Sequence, residues 1–320
     1  MIVGKTFAEV YEKLLKNVLE NGEEVEPRGK LTKEVIQETF CIEDPNYSLI
    51  DIPGRNFSLV HAILESLLLV TTNDTVKVAG HFNERIKNYS DDGKVLYGAY
   101  GRRISPYILS MITKLKEDKD SRQAVLTIHN VKDIVAETKD VPCTITLQFT
   151  VRNNKLNMHV YMRSNDLIWG TPYDVFVFTT LQKIVANTMN IKIGKYYHTA
   201  TSLHIYEDYF EKAKEYIGNC KPVEIKNTCT FLEWQMLARS FITFVSSNRA
   251  CDIADVLHLA LNYKELAVLV IEEIYRGKNK KLESFIDKDV FARELYNKLE
   301  MEFAKPFTKR WVKSGLVGEK

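Results

Sequence analysis

Cysteine is scarce and scattered. The five cysteines, Cys41, Cys143, Cys220, Cys229 and Cys251, are odd in number and form no C-x-x-C pair or Cys/His cluster. That excludes a disulfide framework and a zinc-finger pattern, so no metal is expected. Free thiols in a reducing cytoplasm are the expectation. Long apolar runs are missing too. The longest, around Leu67–Val70, falls far short of the roughly 20 residues that cross a bilayer. No charged-then-apolar leader opens the chain, so no secretory targeting and no membrane partner are expected. A charge excess is also lacking: 44 Lys and Arg stand against 42 Asp and Glu, a net of +2. This gives no global attraction to nucleic acid. Internal repeats and low-complexity tracts are absent.

What is present is globular. The 320 residues are 45% hydrophobic and 27% charged, enough to bury a large core in one domain or two. Phe7, Val10, Tyr11, Leu14, Leu15 and Val18 recur at helical spacing. Thr6 and Glu9 suit a capping box, and Asn21-Gly22 suits a stop. GEEVEPRGK then reads as a polar loop holding Arg28. Ser58 to Thr71 reads as a buried helix, and Asn73 to Arg103 as loops and short helices. Tyr107–Lys116 is expected to be helical.

From Ala124 the pattern turns to strands: AVLTIHN, TITLQFTVR and KLNMHVYMR. The last two are joined by Asn153-Asn154, a pair that tolerates positive φ and suits a tight hairpin. Pro172–Asn190 returns to helix, with Pro172 in its first turn, and Lys195–Tyr206 reads as a strand. Beyond these come helices at Phe231–Val245, Ile253–Leu261, Glu265–Tyr275 and Val290–Phe303. The expected class is α+β. Residues 1–213 form a sheet-bearing catalytic domain and residues 214–320 an all-helical C-terminal extension packed on it.

The chemistry concentrates between Pro142 and Asp174. Cys143 is a candidate nucleophile if a cation favours its thiolate. Arg163 supplies one if its strand pairs with that of Cys143. Arg163 and Ser164 suit a phosphate, a guanidinium fork beside a hydroxyl. Arg28 and Arg122 are further candidates. Asp166 and Asp174 flank a Gly-Thr-Pro bend, and a carboxylate facing a pyrimidine accepts from the amine of cytosine but repels the carbonyl of uracil. His204 and Tyr206 share one strand face. Glu65, in the apolar segment SLVHAILESLLLV, is a candidate proton-handling group. Alone, each has an ordinary structural explanation: a core thiol, a surface ion pair, a helix cap, a satisfied core histidine.

Together these residues resemble the thymidylate synthase superfamily, from roughly Arg28 to Ala213. The resemblance is strongest in VPCTITLQFTVRNNKLNMHVYMRSNDLIWGTPYD and in HTATSLHIYEDY. It implies a sheet flanked by helices and a homodimer packed back to back on that sheet. It further implies a pyrimidine nucleoside monophosphate substrate and 5,10-methylenetetrahydrofolate as co-substrate. By the same resemblance Cys143 attacks C6 of the base. Arg163 and Ser164 bind phosphate and Arg28 closes over it, while Arg122 reaches the partner subunit's phosphate site. His204 and Tyr206 hold the sugar, Asp166 contacts the pterin, and Glu65 organises water and proton transfer.

The departures from the synthase pattern are specific. Thr144 follows the cysteine where histidine is usual, and Asp174 stands where a uracil-pairing asparagine is usual. Arg122-Gln123 replaces a double arginine. The tryptophans expected near Ile86–Ser90 are missing, as is the Tyr-Pro-His-Pro segment with its short apolar tail. MRSND, the Cys-Thr pair and SLHIY are similar instead to the cytidylate hydroxymethylase branch, in which water rather than hydride completes the reaction. The expected activity is therefore folate-dependent 5-hydroxymethylation of CMP or dCMP. The alternatives are a divergent thymidylate synthase or dUMP hydroxymethylase, and a non-catalytic nucleotide-binding module.

Overall fold

A computed structural model of the protein describes residues 1–246, 249–277, 287–298, 309–314 and 316. Its strands are β1 (Ile2–Gly4), β2 (Glu23–Val25), β3 (Thr32–Ile42), β4 (Leu49–Asp51), β5 (Val125–Thr127), β6 (Thr144–Arg152), β7 (Lys155–Asp166), β8 (Lys192–Tyr206) and β9 (Lys221–Val223). The helices through the middle of the chain are α1 (Phe7–Asn21), α2 (Leu59–Leu68), α3 (Val76–Ala79), α4 (Tyr100–Ile104), α5 (Ile108–Glu117), α6 (Gly170–Met189) and α7 (Phe210–Tyr216). Then follow α8 (Phe231–Ser246), α9 (Ala250–Ala260), α10 (Lys264–Arg276), α11 (Lys288–Lys298) and α12 (Lys309–Lys313). Of the last expected helix, Val290–Phe303, the part beyond Lys298 lies outside the described residues.

The main sheet runs β1-β3-β8-β7-β6-β5, with β2 added against β3. Its centre mixes directions. β6 and β7 form an antiparallel hairpin, and β7 and β8 run parallel. The hairpin turn is where the asparagine pair placed it, with φ of 52° at Asn153 and 55° at Asn154. Parallel neighbours require a crossover, and α6 supplies it. That helix is buried along nearly its whole length, from Val175 to Ala186. One face of the sheet, with Leu147, Phe149, Met158, Val160, Met162, Tyr196 and Ala200, is packed into the core.

The opposite face is polar and half-buried. Thr150 bonds His159 at 3.1 Å, Tyr161 bonds Thr201 at 3.0 Å, Thr39 bonds Thr199 at 3.0 Å, and His159 stacks on Tyr197 at 4.8 Å.

Three local expectations need correction. GEEVEPRGK is not all loop: Glu23–Val25 pairs antiparallel with Thr32–Glu34 of β3, a strand the sequence did not announce. AVLTIHN shrinks to the three residues Val125–Thr127: at the irregularity between Thr144 and Thr146 of β6 the regular ladder ends, and the N–H groups of Ile128 and His129 share the Ile145 carbonyl at 2.9 and 3.3 Å. At α1, Thr6 accepts from the Glu9 N–H, but the Glu9 carboxylate takes the N–H of Lys5 rather than that of Thr6, so the capping box is opened by one residue.

Two contacts fix the wall around the future site. Arg103 of α4 donates twice to the buried carboxylate of Asp133, at 2.6 and 3.1 Å, and to the Ile128 carbonyl at 2.9 Å. Removing one partner of such a buried pair costs about 3 kcal/mol or more. Gly101 lets α4 lie directly on the end of α2, since a Cβ there would sit 2.1 Å from the Leu68 carbonyl and 2.4 Å from that of Thr71.

Candidate active site

A cavity of about 260 Å³ opens between α2, α4, α6 and the segment following α3; His61, Glu65, Tyr89, Tyr100, Asp140 and Asp174 are among its lining residues. Three carboxylates therefore face one space.

Asp174 enters just past the first turn of α6. Asn165, at the end of β7, donates its Nδ2 to Asp174 Oδ2 at 2.7 Å, and the Thr171 hydroxyl locks the same amide from its oxygen at 2.8 Å. Burial, with Glu65 adding to it, pushes the Asp174 carboxyl up to about 7 against the Asn165 hydrogen bond. Burial also raises Asp140, whose Oδ2 accepts the Gly98 N–H at 2.7 Å. Neither Asp140 nor Gly98 stood out in the sequence, since the contact joins two loops with no periodic signal.

Cys143 precedes β6, half-buried. The hairpin brings Arg163 against it, as strand pairing suggested. The Arg163 N–H bonds the Cys143 carbonyl at 2.9 Å, and Nη2 lies 3.7 Å from Sγ. The same guanidinium donates to the carbonyls of Pro142 and Val141, both at 2.9 Å. Burial raises the thiol's pKa; Arg163 and Arg28 oppose that, while Asp174 and Asp140 add to it. Next to it, Thr144 donates its N–H and its hydroxyl to the Tyr100 hydroxyl, each at 3.2 Å. Tyr100 thus links the cysteine strand to the cavity wall.

The parallel pairing of β7 and β8 places a second group at the same sheet end. Asp166 lies opposite His204, and Ser164 opposite Ser202. His204 and Tyr206 meet edge to face at 5.2 Å. Asp166 accepts the N–H groups of Ile168 at 2.7 Å and Trp169 at 3.2 Å, and burial raises its pKa against those bonds. Arg28 sits exposed in a tight turn at φ 56°. Arg122 is exposed ahead of β5, and only its carbonyl is tied down, by Gln148. Within this chain it is not brought to Cys143.

Arg55 was missed. It donates to the Ile168 carbonyl at 2.7 Å, yet its Nε and Nη1 are buried with no hydrogen-bond partner among the described residues. Two orphaned donors near Asp166 and Tyr173 suit a ligand rich in acceptors, as a pterin is. The sequence signal was only a lone arginine after a glycine. No group of three or more potential metal ligands occurs, and no helix is long and apolar enough to cross a membrane, among the described residues.

Comparison with known proteins agrees with this geometry. A family model described as thymidylate synthase matches residues 9–227. A deoxyuridylate hydroxymethyltransferase of Bacillus phage SP01 is 32% identical over 242 residues, covering 70% of this chain and 63% of that protein. A protein of the same name from Pseudomonas phage M6 is 32% identical over 158 residues, 47% of this chain and 45% of its own. A putative thymidylate synthase of Methanothermobacter marburgensis is 29% identical over 225 residues, 66% of this chain and 95% of its own. The chain spans less than two thirds of the length of these two phage relatives.

Proposed function

This chain belongs to the thymidylate synthase family, and from that premise we propose that it hydroxymethylates C5 of a cytidine monophosphate, CMP or dCMP. The observation that carries the choice of base is the Asp174 carboxylate, held in the cavity by Asn165. When ionised it accepts from the exocyclic amine of cytosine and repels the corresponding carbonyl of uracil.

In this reading the folate, when bound, supplies a one-carbon unit at the oxidation level of formaldehyde. Arg55 with its free donors and Asp166 are the residues that would hold it. Cys143 adds through sulfur to C6 of the base, which makes C5 nucleophilic; C5 takes the one-carbon unit and gives up its proton as tetrahydrofolate leaves, water adds to the exocyclic methylene so formed, and the C6–S bond breaks. Arg163 stabilises the thiolate that attack requires. Arg163, Ser164 and Arg28 bind the phosphate, and His204 and Tyr206 the sugar. Glu65 handles the proton of the attacking water. The subunits pair through the polar sheet face, which brings Arg122 to the partner's phosphate. Residues 1–213 carry the catalysis and the helices beyond them form an extension.

A second reading, a deoxyuridylate hydroxymethylase, is favoured by the names of the phage relatives. Asp174 permits it when protonated. A neutral carboxyl offers one donor and one acceptor, the pattern an asparagine amide presents to uracil.

Turnover of CMP, dCMP and dUMP with methylenetetrahydrofolate, read by product mass, separates the readings. A cytidylate heavier by one CH₂O unit is expected. Asp174→Asn should then reverse the base preference by ~10-fold or more, the scale of one lost polar contact in a closed site. Conversion of dUMP alone, to thymidylate or to its hydroxymethyl product, defeats the cytidylate assignment.

A further inference from the structure

The C-terminal helices touch the cavity from behind. Arg276, the last residue of α10, is fixed by Glu272, whose buried carboxylate takes its Nε at 2.7 Å. Its other nitrogens donate to the carbonyls of His81 at 3.4 Å and Phe82 at 3.1 Å. The neighbouring Glu273, also buried, holds the His81 ring at 2.5 Å. Phe82 lies under the Arg276 guanidinium and stacks on Phe241 of α8 at 5.8 Å. Five contacts therefore grip two residues of the segment that roofs the cavity.

The next residue of that segment is Asn83. Its Oδ1 is spent on the Arg85 N–H at 3.2 Å, which fixes the amide so that Nδ2 faces His61 Nε2 at 3.3 Å. The amide must donate, so Nε2 must accept, and the ring proton belongs on Nδ1. Nδ1 is buried without a partner among the described residues, so the Asn83 contact at Nε2 sets the tautomer against the cost of an unpaired Nδ1–H. Glu65 Oε1 lies 3.4 Å from that same Nε2. One ring nitrogen thus serves two neighbours. With Asn83 in place, the Nε2 lone pair is taken up by the amide and Nε2 has no proton to give Glu65. With Asn83 withdrawn, Nε2–H becomes free to donate to Glu65 and pin its carboxylate.

We propose that Arg276 and Asn83 are positioning residues for Glu65: α10 places the roof, the roof sets the tautomer of His61, and His61 decides whether Glu65 is free to take a proton from water. The inference rests on the hydroxymethylase reading for the role of Glu65, but its structural part does not.

The test compares Arg276→Met, Asn83→Ala and the double variant. Each single change should lower kcat by ~10-fold while the nucleotide KM stays within about twofold, and the double should fall no further than the worse single, the signature of residues acting as one unit. Nitrogen-15 spectra of the histidine rings should show His61 moving to the Nε2–H tautomer in all three. Leu295→Ala, a cavity at a buried position of α11 that makes none of these contacts itself, should lower the melting temperature and leave kcat unchanged. Additive losses in the double variant, an equal kcat loss in Leu295→Ala, or an unmoved His61 signal in Arg276→Met would each overturn the proposal. If the wild-type protein turns over no pyrimidine nucleotide, the hydroxymethylase reading has failed, and the histidine spectra alone still decide the coupling.

Discussion

Asp174 is one residue with two chemical identities near neutrality. Its carboxyl is pushed up to about 7, chiefly by burial and then by Glu65. An unfolded chain ionises the same group near pH 4. Between those values the native state holds a proton that the unfolded state has released. The stability Asp174 contributes is therefore full below about pH 4 and is lost as the pH rises through about 7. Asp174→Asn should flatten that slope, which urea denaturation at a series of pH values measures. The same titration bears on base choice. The neutral acid can pair with either pyrimidine by turning its donor and acceptor, whereas the anion repels the uracil carbonyl. The ratio of kcat/KM for cytidylate over uridylate should rise as pH passes about 7; a ratio flat from pH 6 to 8 would remove Asp174 as the discriminating group. That a carboxylate stood at this position was plain in the sequence. Its protonation was not, because it depends on burial by elements distant in the chain and then on Glu65, which arrives from a helix more than a hundred residues upstream.

Among the elements, α4 is held at the least clearance. A methyl on Gly101 would meet backbone carbonyls of α2, which cannot swing aside as a side chain can. Gly101→Ala should push α4 off α2 and carry Tyr100 away from Thr144, lowering kcat more than it raises the nucleotide KM. It should also destabilise the fold by about 2 kcal/mol, in the range of overpacked cores; kinetics and denaturant midpoints check both. Elements with strong periodicity were legible. The α1 and α6 helices and the β6–β7 hairpin came from spacing, caps and the two asparagines. β3 was not, because its alternation breaks at Gln37. That residue has φ 57° and stays unpaired between Ile36–Ser202 and Glu38–Ala200, a local break on either side of which the register is the same. β1, β4 and β9 have three residues each, too few for any period to register. In the site, Cys143 and Arg163 were legible because one hairpin joins them. His61, Asn83, Asp140 and Arg55 were not, since loops distant in the chain bring them together.

On the scale of the whole molecule, the subunit pairing proposed above would use the polar sheet face. Its threonines, His159 and Tyr197 are already paired with one another, so they present a flat, satisfied surface rather than open donors. Tyr197→Glu would set two carboxylates against each other across a twofold axis. Sedimentation should then show a monomer, and activity should fall with it if Arg122 serves the partner's site; a Tyr197→Glu dimer of full activity would refute that pairing. The order of the central strands has a consequence in time as well as in space. The contact between Arg163 and the Cys143 sulfur spans 20 residues across one tight turn, whereas His204 reaches Asp166 only after the 20 residues of α6 have crossed over and β8 has docked in parallel. Short closures form faster than crossovers. A newly made chain is therefore expected to set its thiol beside a cation before Asp166 and His204 meet, an order that pulsed alkylation of Cys143 during refolding checks. During that interval, burial of the sulfur is incomplete, and the half-built hairpin is the stage at which an oxidant or an alkylating agent would find this cysteine most open.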